Sequence, residues 1–162
     1  MSKKIITSGA IISVLCIACG QPISSAETET ASTPQEAPIT RSAGDTNLQW
    51  GPCPDIFPSG CKIAVLHGDP AKPNADIFLE VEAGSRLTTH THTSAERMIL
   101  VAGELSVQYE GFAAQTLTPG DYAYGPAELP HKAECISDVP CTLFIAFENP
   151  VDAMQAESNF GE

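Results

Sequence analysis

The sequence predicts an all-β domain that closes on itself as a sandwich or barrel, and three observations lead there. From about Gly44 onward, short apolar alternations are broken at close intervals by Gly, Pro, Asn and Asp, a pattern of strands and tight turns rather than of βαβ units. No stretch before residue 150 keeps a helical period beyond a turn or two. Roughly ten short strands in about 110 residues will not pack as one flat sheet, because twist and exposed edges disfavour it.

The elements follow in order. Residues 1–26 read as an export signal, with Lys3 and Lys4 ahead of an apolar run, 5–18, that is too short to span a membrane comfortably. Two cleavage patterns are present. One is a small-residue site at Ser24-Ser25-Ala26. The other is Leu15-Cys16-Ile17-Ala18-Cys19, which resembles a bacterial lipobox with Cys19 as the lipidation candidate, although Cys16 stands where Leu is usual. Either cut removes two lysines and no acid. The chain's formal charge of −12 therefore becomes about −14, from six basic and twenty acidic side chains. Such an acidic chain is unsuited to nucleic acid, which is bound by Lys and Arg releasing counterions. The expected location is the periplasm or cell envelope, with membrane contact only through an N-terminal lipid. Residues 27–43 are rich in Thr, Ser, Pro, Ala and Glu; they bury too little to offset ordering entropy and read as a tether.

The domain proper is expected over 44–150. Predicted strands are 62–66, 76–82, 86–93, 97–101, 105–109, 112–117, 122–124, 131–135 and 141–147, separated by turns such as His67-Gly68-Asp69-Pro70, Glu110-Gly111 and Thr118-Pro119-Gly120-Asp121. The tail, 151–162, reads as loose or as a short helix with Val151 and Met154 on one side. Beyond the leader, Cys53, Cys61, Cys135 and Cys141 remain, which allows three pairings. Each close pair flanks a turn-like loop. In an exported chain this favours the local bridges Cys53–Cys61 and Cys135–Cys141, each worth ~2–3 kcal/mol, over a metal–thiolate site.

Chemistry concentrates at His90, His92 and Glu96. On a strand, residues i and i+2 share a face, so both imidazoles point one way; a helix would set them about 200° apart. The flanking threonines 88, 89, 91 and 93 favour the strand. Glu96, past the Thr93-Ser94-Ala95 bend, would return a carboxylate from the neighbouring strand. Imidazole with carboxylate suits a borderline divalent metal, whereas a His-x-His pair alone also occurs on ordinary exposed strands.

The wider spacing is more specific. Gly84-x5-His90-x-His92-x3-Glu96-x6-Gly103 resembles the first signature motif of the cupin superfamily, and Gly120-Asp121-x4-Pro126-x3-Pro130-His131 resembles the second. The resemblance covers about residues 63–147. It implies a single antiparallel jelly-roll β-barrel and one divalent metal ion (Fe, Mn, Zn or Ni) held by His90, His92, Glu96 and His131. The Asn often found shortly after the last His is absent. With Fe(II), relatives act as dioxygenases; with other ions, as isomerases, decarboxylases and lyases on small molecules. Others are non-catalytic binding modules, and cupin barrels often pair as homodimers. The block from Trp50 to Pro70 resembles the lead-in of small bacterial cupins, some related to the cupin part of a metal-binding anti-sigma factor; the expected export signal and the lack of a sigma-binding helical region speak against that role here. Gly84, Gly103 and Gly120 read as turn residues, and Pro126 and Pro130 as stiffeners of the loop before His131. His67 reads as a surface residue, Tyr122 and Tyr124 as core. Arg86, Arg97 and Glu104 read equally as pocket residues or as solvated strand faces.

Overall fold

A computed structural model describes residues 36–157 and Phe160; the expected export signal, with Cys16 and Cys19, and most of the tether lie outside them. Eleven strands occur among the described residues, and no helix: β1 (Trp50–Pro52), β2 (Cys61–His67), β3 (Ala75–Val81), β4 (Arg86–Thr91), β5 (Glu96–Ala102), β6 (Leu105–Tyr109), β7 (Gln115–Leu117), β8 (Tyr122–Gly125), β9 (His131–Cys135), β10 (Cys141–Phe147) and β11 (Met154–Gln155). They form two sheets, ordered β1-β2-β3-β10-β5-β8 and β11-β4-β9-β6-β7, and every pairing is antiparallel. From β3 onward the chain crosses between sheets at every connection except the β6–β7 hairpin, as a jelly roll does.

Strand alternation fills the space between the sheets. Ile77, Leu79 and Val81 of β3, Leu143, Ile145 and Phe147 of β10, and Met98 and Leu100 of β5 face Leu105 and Val107 of β6 and Ala133 and Cys135 of β9. The residues between them in sequence point outward. Phe78 joins Leu48 and Ala64 in a smaller cluster on the outer face, against Trp50 and Phe144.

One irregularity positions the site. Leu87 is buried, so strict alternation along β4 would send Thr89 and Thr91 inward and both histidines to solvent. The β4–β9 register shifts between Leu87 and His90, and beyond the shift it is His90 and His92 that are buried. A bulge adds one residue and exchanges the faces.

Disulfides join Cys53 to Cys61 and Cys135 to Cys141, with Cα–Cα separations of 5.5 and 5.6 Å. Gly103 lies at φ +84°, and a Cβ there would stand 2.8 Å from both Cα and Sγ of Cys141. Turn and bridge therefore pack backbone to backbone, which only glycine permits. The tail differs from its expected loose or helical form. β11 pairs with β4, opposing Met154 to Thr91 and Gln155 to His90, while the Ala156 amide donates to the Thr89 carbonyl. Too short for a period to be read, this segment becomes a strand because β4 offers it an unpaired edge.

Candidate metal centre

Three histidines and one glutamate meet inside the barrel. His90 on β4 and His131 on β9 are direct cross-strand partners, and His92 follows just past the end of β4. Their rings lie 4.1 Å (His90–His131), 4.9 Å (His90–His92) and 5.2 Å (His92–His131) apart between centroids. One ring nitrogen from each falls within 4.8 Å of the others, a group able to hold a metal ion. Glu96 opens β5, which belongs to the opposite sheet. The sequence reading placed it on a neighbouring strand; the bend at 93–95 instead carries the chain across the sandwich, so the carboxylate faces the imidazoles rather than flanking them. All four side chains are buried.

The backbone decides which atoms point inward. Nδ1 of His90 donates to the Thr88 carbonyl at 2.6 Å, Nδ1 of His131 to the Leu129 carbonyl at 3.1 Å, and Nδ1 of His92 to the Asp152 carbonyl. A carbonyl only accepts, so each Nδ1 carries a hydrogen and, in the neutral ring, each Nε2 keeps its lone pair. Nε2 of His131 lies 3.2 Å from Glu96 Oε1 and Nε2 of His92 lies 3.5 Å from Oε2. With the rings neutral, imidazole lone pairs face carboxylate oxygens in a buried interior, an arrangement of acceptors relieved either by a proton on His131, which then donates to Glu96, or by a cation in its midst. The donor set fits a divalent metal.

Electrostatics agree. Burial, followed by the charge of His131, pushes the His90 imidazole down to about 3, against the opposing bond to Thr88. Burial alone would also lower His131, but the hydrogen bond and charge of Glu96 outweigh it and raise this imidazole. For Glu96, burial is again the largest single influence and acts upward; the His131 hydrogen bond and the three imidazoles together overcome it and hold the carboxyl low. The Tyr109 hydroxyl, 3.5 Å from Glu96 Oε1, is pushed far up, first by burial and then by the Glu96 charge.

A cavity of about 50 Å³ opens beside the cluster, between walls that include Phe57, Leu79, Met98, Val107 and Leu143. Several residues that shape it were not legible in advance. Phe57, in the loop closed by Cys53–Cys61, sets its ring 4.6 Å from that of His90. Asp152, in the supposed tail, orients His92 through its carbonyl, and its carboxylate accepts from the Thr93 amide and hydroxyl. Ser94, fully buried, accepts the amides of Glu148 and Asn149 at 3.0 Å each and so docks the segment that carries Asp152. Gly125 is the cross-strand partner of Glu96. Ser94, in the bend inside the first motif, and Gly125, inside the second, had a signal in the sequence only as positions without an assigned role.

Other named residues lie elsewhere. His67 is exposed at the end of β2. Tyr122 and Tyr124 are not core residues: they face outward with exposures of 59% and 51%, while Ala123 between them packs inward. Arg86 pairs with Glu134 and Arg97 with Glu148, and neither arginine lines the cavity, nor does Glu104.

The family model of the ChrR cupin-like domain matches residues 42–151, whereas no curated protein matches the chain at a significant level. Among solved structures, DMSP lyase DddQ from Ruegeria pomeroyi DSS-3 aligns at TM-score 0.58 and 22% identity, over 71% of this chain and 64% of the lyase chain. An RmlC-like cupin from Shewanella frigidimarina NCIMB 400 aligns at TM-score 0.53 and 23% identity, over 65% and 86%. Oxalate decarboxylase from Lactobacillus farciminis, in a formate complex, aligns at TM-score 0.55 and 20% identity, over 67% and 33%. The chain thus spans just under two thirds of the lyase and a third of the decarboxylase. At such identities the likenesses establish the fold. The family match is of another kind, since it runs through both motifs and the whole barrel from before β1 to beyond β10: the chain belongs to the family of ChrR cupin-like domains.

Proposed function

We propose that this domain holds one divalent metal ion through His90, His92, Glu96 and His131 and uses it as a small-molecule enzyme, in an exported protein. The observation that carries the reading is the buried set of acceptors, with three imidazoles fixed by backbone carbonyls so that their free nitrogens and Glu96 share one point. Four protein ligands would leave positions open on an ion that takes six, the style of a catalytic rather than a structural site. A bound ion would supply either dioxygen chemistry, if Fe(II), or Lewis-acid polarisation of a carbonyl or acid.

The chain's own residues do the rest. Asp152 fixes the His92 ring, and the Tyr109 hydroxyl donates towards Glu96 Oε1 and keeps that oxygen oriented. The apolar wall excludes water, which strengthens every charge interaction inside. A DMSP lyase and an oxalate decarboxylase among the structural neighbours supply two trial substrates of contrasting charge, the zwitterion DMSP and the dianion oxalate. One observation favours a second reading, a non-catalytic binding module. Apart from the four ligands, the one ionisable side chain on the cavity wall among the described residues is Asp152, and its carboxylate is already engaged by Thr93.

Reconstitution with Fe(II), Mn(II), Zn(II) and Ni(II) separates the two. Each form is assayed for oxygen uptake and for turnover of DMSP, oxalate, catechols and β-diketones. Turnover that is lost with His92→Ala supports the enzyme; tight binding of metal with no turnover in any form supports the module.

A further inference from the structure

Resting on that metal reading, we infer that the cavity takes a small ligand with one anionic metal-binding head and an apolar body, and rejects ligands with a second anionic or hydroxylated end. Charge balance comes first. Three neutral imidazoles, one carboxylate and a divalent ion sum to a single positive charge, which one anionic head neutralises. A second anion would need its own partner inside the barrel. Among the described residues the wall has none: of twenty that line it, fifteen are apolar, four are the cluster itself, and the last is Asp152. No lysine or arginine lines it, and Asp152 adds negative charge.

Hydrogen bonding gives the same answer. Beyond the cluster, no Ser, Thr, Asn, Gln, Tyr or Trp side chain among the described residues lines the cavity, so a hydroxyl on the ligand body would exchange water for hydrocarbon with no new partner. Phe57, Leu79, Met98 and Val107 instead offer apolar contact. Volume sets the size. A cavity of about 50 Å³ holds roughly four water-sized groups at about 10–15 Å³ each, which limits the ligand to a compact head and a short body.

The test loads the full-length chain with Co(II) and follows its visible absorption while simple carboxylates are titrated in. Acetate, propionate and butyrate form the apolar series. Succinate and 3-hydroxypropionate are the polar counterparts of butyrate and propionate. Affinity should rise about fourfold for each added methylene, and succinate and 3-hydroxypropionate should each bind at least tenfold more weakly than their counterparts. A flat series, equal or tighter binding of succinate, or no response to any carboxylate overturns the inference. The metal reading fails differently: Co(II) uptake would then be absent, or unchanged in His131→Ala, before any carboxylate is added.

Discussion

Gly125→Ala tests the site through a residue that is not one of its ligands. Gly125 opposes Glu96 across the β5–β8 pair. A Cβ built on it would stand 2.7 Å from Glu96 Oε1, 2.8 Å from Glu96 Cγ and 2.9 Å from the Tyr109 hydroxyl, against the 3.4–4 Å of ordinary contact. Glu96 must therefore move by more than half an ångström. It has little freedom to do so, being buried and held by His92, His131 and Tyr109. Overpacking of this kind costs about 1–3 kcal/mol in the metal-free protein. The alanine recovers about 0.4–1 kcal/mol by restricting the unfolded chain, because the backbone at 125 is not in the left-handed region. Displacing a ligand from its fixed orientation lowers metal affinity about 10- to 100-fold. Chelator competition at constant pH measures the affinity, and urea unfolding of the metal-free protein measures the packing cost. Gly51→Ala, whose new Cβ meets nothing nearer than 4.0 Å, is the control and should leave affinity unchanged. Affinity within twofold of wild type in a folded Gly125→Ala protein would refute the account of Glu96.

Three further outcomes follow from the geometry. Ser94→Ala leaves the amides of Glu148 and Asn149 without the buried hydroxyl that accepts them and should destabilise the metal-free protein by about 1–2 kcal/mol; a loss under 0.5 kcal/mol in urea unfolding would contradict that network. Deleting residues 152–162 removes the carbonyl partner of His92 and the β11 pairing, so metal should leave the site about 10- to 100-fold faster in stopped-flow chelation, while circular dichroism keeps its β signature; an unchanged rate would show that the tail positions nothing. A metal must displace the proton that Glu96 helps to hold on His131, whose pKa lies above its usual 6.5. Affinity should therefore climb as pH rises through and beyond that value and level off once His131 is neutral, with His90, near 3, adding nothing above about pH 5. Competition titrations that are flat between about pH 6 and 8 would contradict this.

Most of the barrel could be read from local chemistry, because each strand alternates and each turn carries its own Gly, Pro or Asp. The predicted 105–109, 131–135 and 141–147 coincide with β6, β9 and β10. What escaped depends on long-range pairing. β1 and β11 are two or three residues long and exist because β2 and β4 present edges to them, which no period reveals. The His90–His92 pair was expected to share a face, but that this face is the inner one depends on the bulge after Leu87. Tyr122 and Tyr124 illustrate the same parity problem in reverse: alternation shows that they agree with each other, and the register with β5 shows that they face out. Asp152 was invisible because its part in the site is played by a main-chain carbonyl, and every residue has one.

The central claim is that His90, His92, Glu96 and His131 hold one divalent ion. Elemental analysis of the purified full-length protein, beside His131→Ala and the exposed-site control His67→Ala, tests it most directly. About one equivalent of a divalent metal is expected in wild type and in His67→Ala, and none in a folded His131→Ala protein. Metal retained by His131→Ala, or a wild type that takes up none when supplied, would contradict it.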